Sequence, residues 1–175
     1  MAEEKDWKQK NNKKRRLALV VSKGSLDMAY PPLILATTAA SLDWEVGVFF
    51  TFYGLDILHK KRVSKLKVAP LGNPAMPPLW QNESTELHAP NLLGIVPGAT
   101  ALVTRLMKQR MKKAKMPTVI ELLELAKQSD VKLYACTTTM GVMGVREKDL
   151  IEGTSCLGAA AFLDFAADAD VALFI

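Results

Sequence analysis

Apolar positions along this chain follow two rhythms, and their alternation sets the expected fold. Leu17 to Val21 is a continuous apolar run, the pattern of a strand covered on both faces in a parallel sheet. It leads into SKGS at 22–25, where Ser25 is placed to cap a helix. That helix is expected over about 26–41, with apolar spacing clearest from Leu33 to Leu42. Pro31 and Pro32 lie in its path and should kink it or move its true start to the proline pair. EVGVFFT at 45–51 reads as a second strand, and a second helix begins in 53–61.

The stretch 63–98 sustains neither rhythm and holds six of the nine prolines. It reads as a long irregular excursion, of the kind that serves as a lid, binding loop or contact arm. Helical spacing returns at 99–114, with Leu102, Leu106, Met107 and Met111 on one side and bases on the other. Pro117 ends that helix or opens the next, and Thr118 with Glu121 fits a capping box before a helix to 128. VKLYAC at 131–136 is a further strand, 147–151 a short helix, and Thr154 or Ser155 the cap of a helix over 157–167. Residues 170–175 close as a last strand. Strands alternating with helices define an α/β domain over 15–175 with a mainly parallel sheet. No internal repeat interrupts it.

Composition narrows the class. The 175 residues are 49% hydrophobic and 23% charged, ordinary for one soluble domain. No apolar run reaches the roughly 18–20 residues that span a bilayer. The first sixteen residues are charged rather than apolar, unlike a secretory signal, so a cytoplasmic location is the expectation. The net charge of +5 is unevenly placed: seven bases against three acids in 1–16, six bases and no acid in 105–115, two bases against six acids in 146–175. Charge held in a tail (1–14, expected to be mobile) and one helix face argues against a nucleic-acid groove.

Chemistry is sparse and therefore informative. No glycine-rich dinucleotide or P-loop motif occurs, and neither C-x-x-C nor any zinc-ligand spacing is present, so neither a cofactor nor a metal is expected. Ser22, Gly24 and Ser25 form either a plain turn and cap or an anion site at a helix start. Cys136 ends a strand, where open α/β sheets place their ligands. Thr137, Thr138, Thr139 and Gly141 follow it at once and could surround a charged sulfur or an oxyanion with donors. Two readings of Cys136 stay open here: a nucleophile whose thiolate is favoured by a helix start, or a buried structural thiol. Cys156 precedes the small-residue run GAAA at 158–161 and is either a small packed residue or a resolving thiol for Cys136. His59 and His88 have no partner motif and read as surface residues. The eight methionines read as core filler, with an oligomer interface or adaptable binding face as the alternative.

Taken in order, several stretches resemble the DsrE/DsrF/DsrH-like sulfur-relay family, in the branch with a long Pro/Met-rich insert. They are the opening strand with SKG at 22–24, FTFYGLD at 50–56, the insert leading to LGIVPG at 93–98, and VKLYAC-x-x-x-M-x-x-MG at 131–144. EG at 152–153 and a small-residue helix follow. The resemblance implies a flavodoxin-like three-layer sandwich of about five strands with helices on both faces, assembling into homo-oligomers. It implies a cytoplasmic sulfur carrier or sulfurtransferase, with the cysteine after the fourth strand, here Cys136, bearing a persulfide or thiosulfonate. Its partners would be sulfur-donor and sulfur-acceptor proteins and small sulfur anions. Cys156 matches no required position of that pattern. The rival reading is a non-enzymatic interaction module, docking a protein or an anionic membrane surface through the Pro-rich arm and the basic helix 99–115.

Overall fold

The computed structural model describes residues 14–69, 81, 82, 85, 86 and 98–175. Five strands form one parallel sheet: β1 (Arg16–Val21), β2 (Glu45–Phe50), β5 (Lys132–Cys136), β6 (Thr154–Leu157) and β7 (Val171–Phe174). Their order across the sheet is β6-β5-β2-β1-β7. Helices α1 (Leu26–Ser41), α2 (Leu55–Leu58), α3 (Ala99–Lys113), α4 (Val119–Gln128), α5 (Thr137–Met143) and α6 (Ala159–Ala167) connect them. Strand alternation sorts the core into two layers. Leu17, Leu19, Val21, Val46, Val48, Phe50, Leu133 and Ala135 point to one face and pack under α1 and α4. Ala18, Phe49 and Cys136 point to the other, where Phe162 and Phe165 of α6 cover them. The result is the flavodoxin-like α/β sandwich with helices on both faces.

The first layer dominates the energetics. Leu19, Val48, Phe50, Leu33, Ile57 and Leu58 lose all their exposed surface, each contributing on the order of 1.5–3 kcal/mol of transfer free energy. The second layer is thinner and more aromatic: Phe49 stacks on Phe162 at 4.7 Å between centroids, and Tyr134 meets Phe162 and Phe165 edge-on at 6.2 Å. The guanidinium of Arg16 lies over the Phe165 ring at 4.7 Å and pairs with Glu45 at 2.8 Å, closing the end of that layer away from Cys136.

Several expectations are corrected. Helix α1 starts at Leu26 despite Pro31 and Pro32, because its first turn is anchored from outside: the Leu26 N–H donates to Lys67 O at 2.7 Å, and Leu26, Ala29 and Tyr30 are buried. Ser25 occupies the N-cap position, but its side chain makes no capping bond. The second helix is one turn, Leu55–Leu58, after a 3-10 turn at Phe52–Gly54. Residues 147–149 form a 3-10 turn rather than a longer helix. The segment 154–157 is not the start of a helix but edge strand β6, and the helix begins at Ala159 after Gly158. Pairing with β5 recruits this short polar segment, a tertiary preference that local pattern does not encode. Cys136 consequently ends the third strand of the main sheet in chain order, not the fourth.

Helix α3 also differs in its seating. Thr104 is its buried residue, accepting from the Val68 N–H at 3.1 Å, while Leu102 is 60% and Leu106 39% exposed. The apolar side expected to be covered therefore faces partly outward. The capping box of α4 forms as expected: the Glu121 N–H donates to Thr118 Oγ1 at 3.2 Å, and the Thr118 N–H to Glu121 Oε2 at 2.6 Å. His59 is buried rather than superficial, its Nδ1 accepting from the Lys61 N–H at 3.1 Å. Most of the 63–98 excursion and the tail 1–13 lie outside the described residues, as does His88. Within the excursion, Val63–Lys65 forms a 3-10 turn, and β3 (Gln81–Asn82) and β4 (Thr85–Glu86) form a short antiparallel ribbon.

Candidate functional site

Parallel strands bring all their carboxyl ends to one edge of the sheet, and the loops after β1, β2 and β5 meet there. The first two loops are interlocked. The Thr51 N–H donates to Val21 O at 2.9 Å and the Gly54 N–H to Ser22 O at 3.2 Å. A Cβ on Gly24 would collide with the Tyr53 carbonyl, and one on Gly54 with the Val21 carbonyl. Glycine is required at both positions by close backbone approach.

Cys136 sits at the end of inner strand β5 and is the N-cap residue of α5. Cys136 as a whole residue is 5% exposed and packs with the aromatic layer below. Burial alone would push such a thiol up. Against that, the Thr139 hydroxyl and backbone N–H, the Thr51 hydroxyl and the Thr138 N–H all favour the thiolate, and together they hold Cys136 below its ordinary value. Thr139 is itself buried, and its hydroxyl lies 2.9 Å from that of Thr51. A neutral hydroxyl pair and two amides thus take the place of a cation or a histidine as the activating group.

The expected site residues divide clearly. Thr138 and Thr139 favour the Cys136 thiolate; Thr137 and Gly141 are exposed, and Gly141 has open space where a Cβ would lie. Ser22, Gly24 and Ser25 are set apart from Cys136 by the intervening strand β2, roughly two strand spacings or about 9–10 Å. Ser22 instead ties down the end of the chain, accepting nothing from the thiol: its N–H donates to Ile175 O at 2.9 Å. The residue missed from sequence is Thr51. It occupies the carboxyl end of β2, next to β5 in the sheet, and only strand order makes it a neighbour of Cys136.

Cys156 lies on β6 opposite Ala135, while Leu157 lies opposite Cys136. Side chains alternate along a strand, so Cys156 packs against the first core layer and Cys136 against the second. The two sulfurs are on opposite faces of the sheet. Burial and the Glu147 carboxylate push the Cys156 thiol up, the reverse of activation.

Fold and site define a class: a flavodoxin-like parallel α/β protein with a thiol at the end of an inner strand, in surroundings that favour the thiolate. The chain belongs to the DsrE/DsrF/DrsH-like family, whose pattern matches residues 13–174. It is 44% identical over 162 residues to "Sulfur carrier protein DsrE2" of Allochromatium vinosum, covering 92% of this chain and 98% of that one. It is 33% identical over 164 residues to the protein YrkE of Bacillus subtilis (strain 168), covering 92% and 97%. The crystal structure of the ychN protein from E. coli shares the fold with a TM-score of 0.52 at 11% identity, over 93% of this chain and all of that one. Among the described residues no helix is long and apolar enough to cross a membrane.

Proposed function

We propose that this chain is a sulfur carrier that loads a sulfane sulfur on Cys136 and passes it to an acceptor thiol. The observation that carries the reading is the place of Cys136 at the end of inner strand β5, N-capping α5 beside the Thr51–Thr139 hydroxyl pair, surroundings that favour the thiolate. The likeness to a relative bearing the name of a sulfur carrier supports it.

In loading, the Cys136 thiolate attacks the terminal sulfur of a donor persulfide; a new S–S bond forms, the donor's S–S bond breaks, and the donor leaves as its thiolate. With thiosulfate the same attack yields Cys136–S–S⁻ and releases sulfite. With tetrathionate it yields Cys136–S–S–SO₃⁻ and releases thiosulfate. The persulfide keeps one negative charge, now on the sulfur one atom further out, whereas the tetrathionate product carries its charge on the sulfonate oxygens beyond that sulfur. The Thr51–Thr139 hydroxyl pair and the two amides that favour the thiolate also favour a terminal persulfide anion. One thiol suffices, because the acceptor's own thiol completes the exchange, and Cys156 has no part in it. The reading includes a cytoplasmic setting, protein donors and acceptors, and a homo-oligomeric carrier without independent turnover.

The test is intact-protein mass after exposure to polysulfide, thiosulfate or tetrathionate. Wild type is expected to gain the corresponding sulfur adduct, reversed by dithiothreitol, and Cys136→Ala to gain none while Cys156→Ala behaves as wild type. An adduct on Cys136→Ala equal to that on wild type would remove the assignment.

A further inference from the structure

A carrier must also recognise who it trades with, and the strongest unassigned feature of this surface is a track of unpaired cations beginning at the thiol end of the sheet. At the ends of β1 and β2 lies a hollow of about 790 Å³ carrying Lys23, Tyr53, Arg62, Lys65 and Lys67. It continues into a groove of about 440 Å³ between 65–67 and α3, lined by Arg105, Lys108 and Lys112, with no carboxylate in its wall among the described residues. Among the described residues, Lys23, Lys65, Lys67, Arg105, Lys108 and Lys112 make no ion pair. Of the two acids of the hollow, Asp56 pairs with Arg62 at 2.7 Å, while Asp27 accepts from the Ala69 N–H at 3.1 Å and keeps its charge, which leaves the track with a clear excess of positive charge. Six like charges in one concavity repel one another unless an anionic partner enters, and that repulsion is the free energy a partner can recover.

We infer that this cationic track is the docking groove for an acidic segment of the protein that gives sulfur to, or takes it from, Cys136; the inference rests on the sulfur-carrier reading above. Three observations favour a protein over other polyanions. The track is a concavity with cations along its wall, whereas a bilayer needs an extended, strongly apolar face. It is flanked by Leu102 and Leu106 of α3, 60% and 39% exposed, which offer apolar anchors beside the charges. Its hollow shares Lys23, Gly24 and Tyr53 with the interlocked loops after β1 and β2, at the sheet edge where β5 also ends. Helix α3 is about 22 Å long, enough to seat roughly six extended residues. The transfer that docking would promote is Cys136–S–S⁻ plus peptide–SH giving Cys136–SH plus peptide–S–S⁻, the outer sulfur moving and the attacking thiol's proton passing to Cys136.

The experiment uses the full chain and two fluorescein-labelled cysteine peptides of equal length, one rich in Glu, Asp and Leu, the other with Lys in place of the acids. The acidic peptide is expected to bind by anisotropy, at least about tenfold more weakly when salt is raised to about 0.5 M. The K65E/K108E/K112E variant should lose a similar factor with an unchanged far-UV spectrum, and Lys108→Gln with Lys112→Gln an intermediate one should the triple variant not fold. Binding unaffected by salt and by these substitutions, or outcompeted by phosphatidylglycerol vesicles or single-stranded DNA at equal charge, overturns the inference. The two readings separate in the transfer assay. If persulfide-loaded protein gives sulfur equally fast to acidic and basic peptides, docking fails and the carrier stands. If no persulfide forms on Cys136 yet groove-dependent binding remains, the partner role assigned to the groove fails together with the carrier.

Discussion

Cys136 and Cys156 are twenty positions apart in one domain, yet their surroundings drive them in opposite directions. Burial raises both, but only Cys136 gains donors that outweigh it: Thr139 through hydroxyl and amide, Thr51 through hydroxyl, Thr138 through amide. A thiol held below its ordinary value binds its proton less tightly in the folded than in the unfolded chain. Its contribution to stability is therefore full above the unfolded value and is lost as pH falls through the folded one. The same sign governs reactivity, since only the thiolate attacks. Thr139→Val and Thr51→Val should each move the pH midpoint of Cys136 alkylation upward, Thr139→Val more, since it removes the larger of the two hydroxyl contributions. Thr51→Ser should restore the wild-type midpoint, which a merely structural loss would not allow. Iodoacetamide rates followed by mass spectrometry across pH give the midpoints; an unshifted Thr139→Val profile would dismiss the hydroxyl as an activator.

At the scale of elements, what was legible in sequence and what was not divide by the range of the forces involved. The continuous apolar runs of β1, β2 and β5 and the Thr118–Glu121 box are local signals, and each element forms where its pattern stands. Strand β6 carries no such signal: Thr154–Leu157 is polar and short, and becomes a strand through pairing with β5. Thr51 was hidden for the same reason, because adjacency of β2 and β5 belongs to topology rather than to either segment. The glycines that lock the loops were visible, but their purpose was not. Gly54 packs against the Val21 carbonyl, and Gly24 against that of Tyr53. Gly54→Ala must push the 51–54 loop off β1, destabilising the fold by about 1–3 kcal/mol and shifting Thr51 away from the sulfur. The expected signature is a lower Tm together with a raised Cys136 alkylation midpoint. Destabilisation without any change in that midpoint would uncouple the loop lock from the site.

The whole molecule presents one more unfinished surface, on the face opposite the thick core layer. Helix α6 sits over the middle of the sheet, where Phe162 and Phe165 reach Phe49 and Tyr134, and leaves edge strand β7 uncovered. Phe174 on β7 pairs with Val20, points to this face and is 74% exposed; Leu163 on α6 is 65% exposed, and the small residues Ala159–Ala161 are exposed as well. An edge strand with bare backbone and large apolar side chains is an association template unless something covers it. Among the described residues nothing covers Ala159–Ala161, and a second copy is the occupant that would. This matches the homo-oligomer expected from the family resemblance and is independent of the cationic track, which contains none of these residues. Phe174→Glu with Leu163→Glu should therefore reduce the mass seen by sedimentation to that of a single 19.2 kDa chain, with Cys136 adduct formation retained. A wild-type chain that already sediments as a monomer at high concentration would assign the bare edge to a different partner.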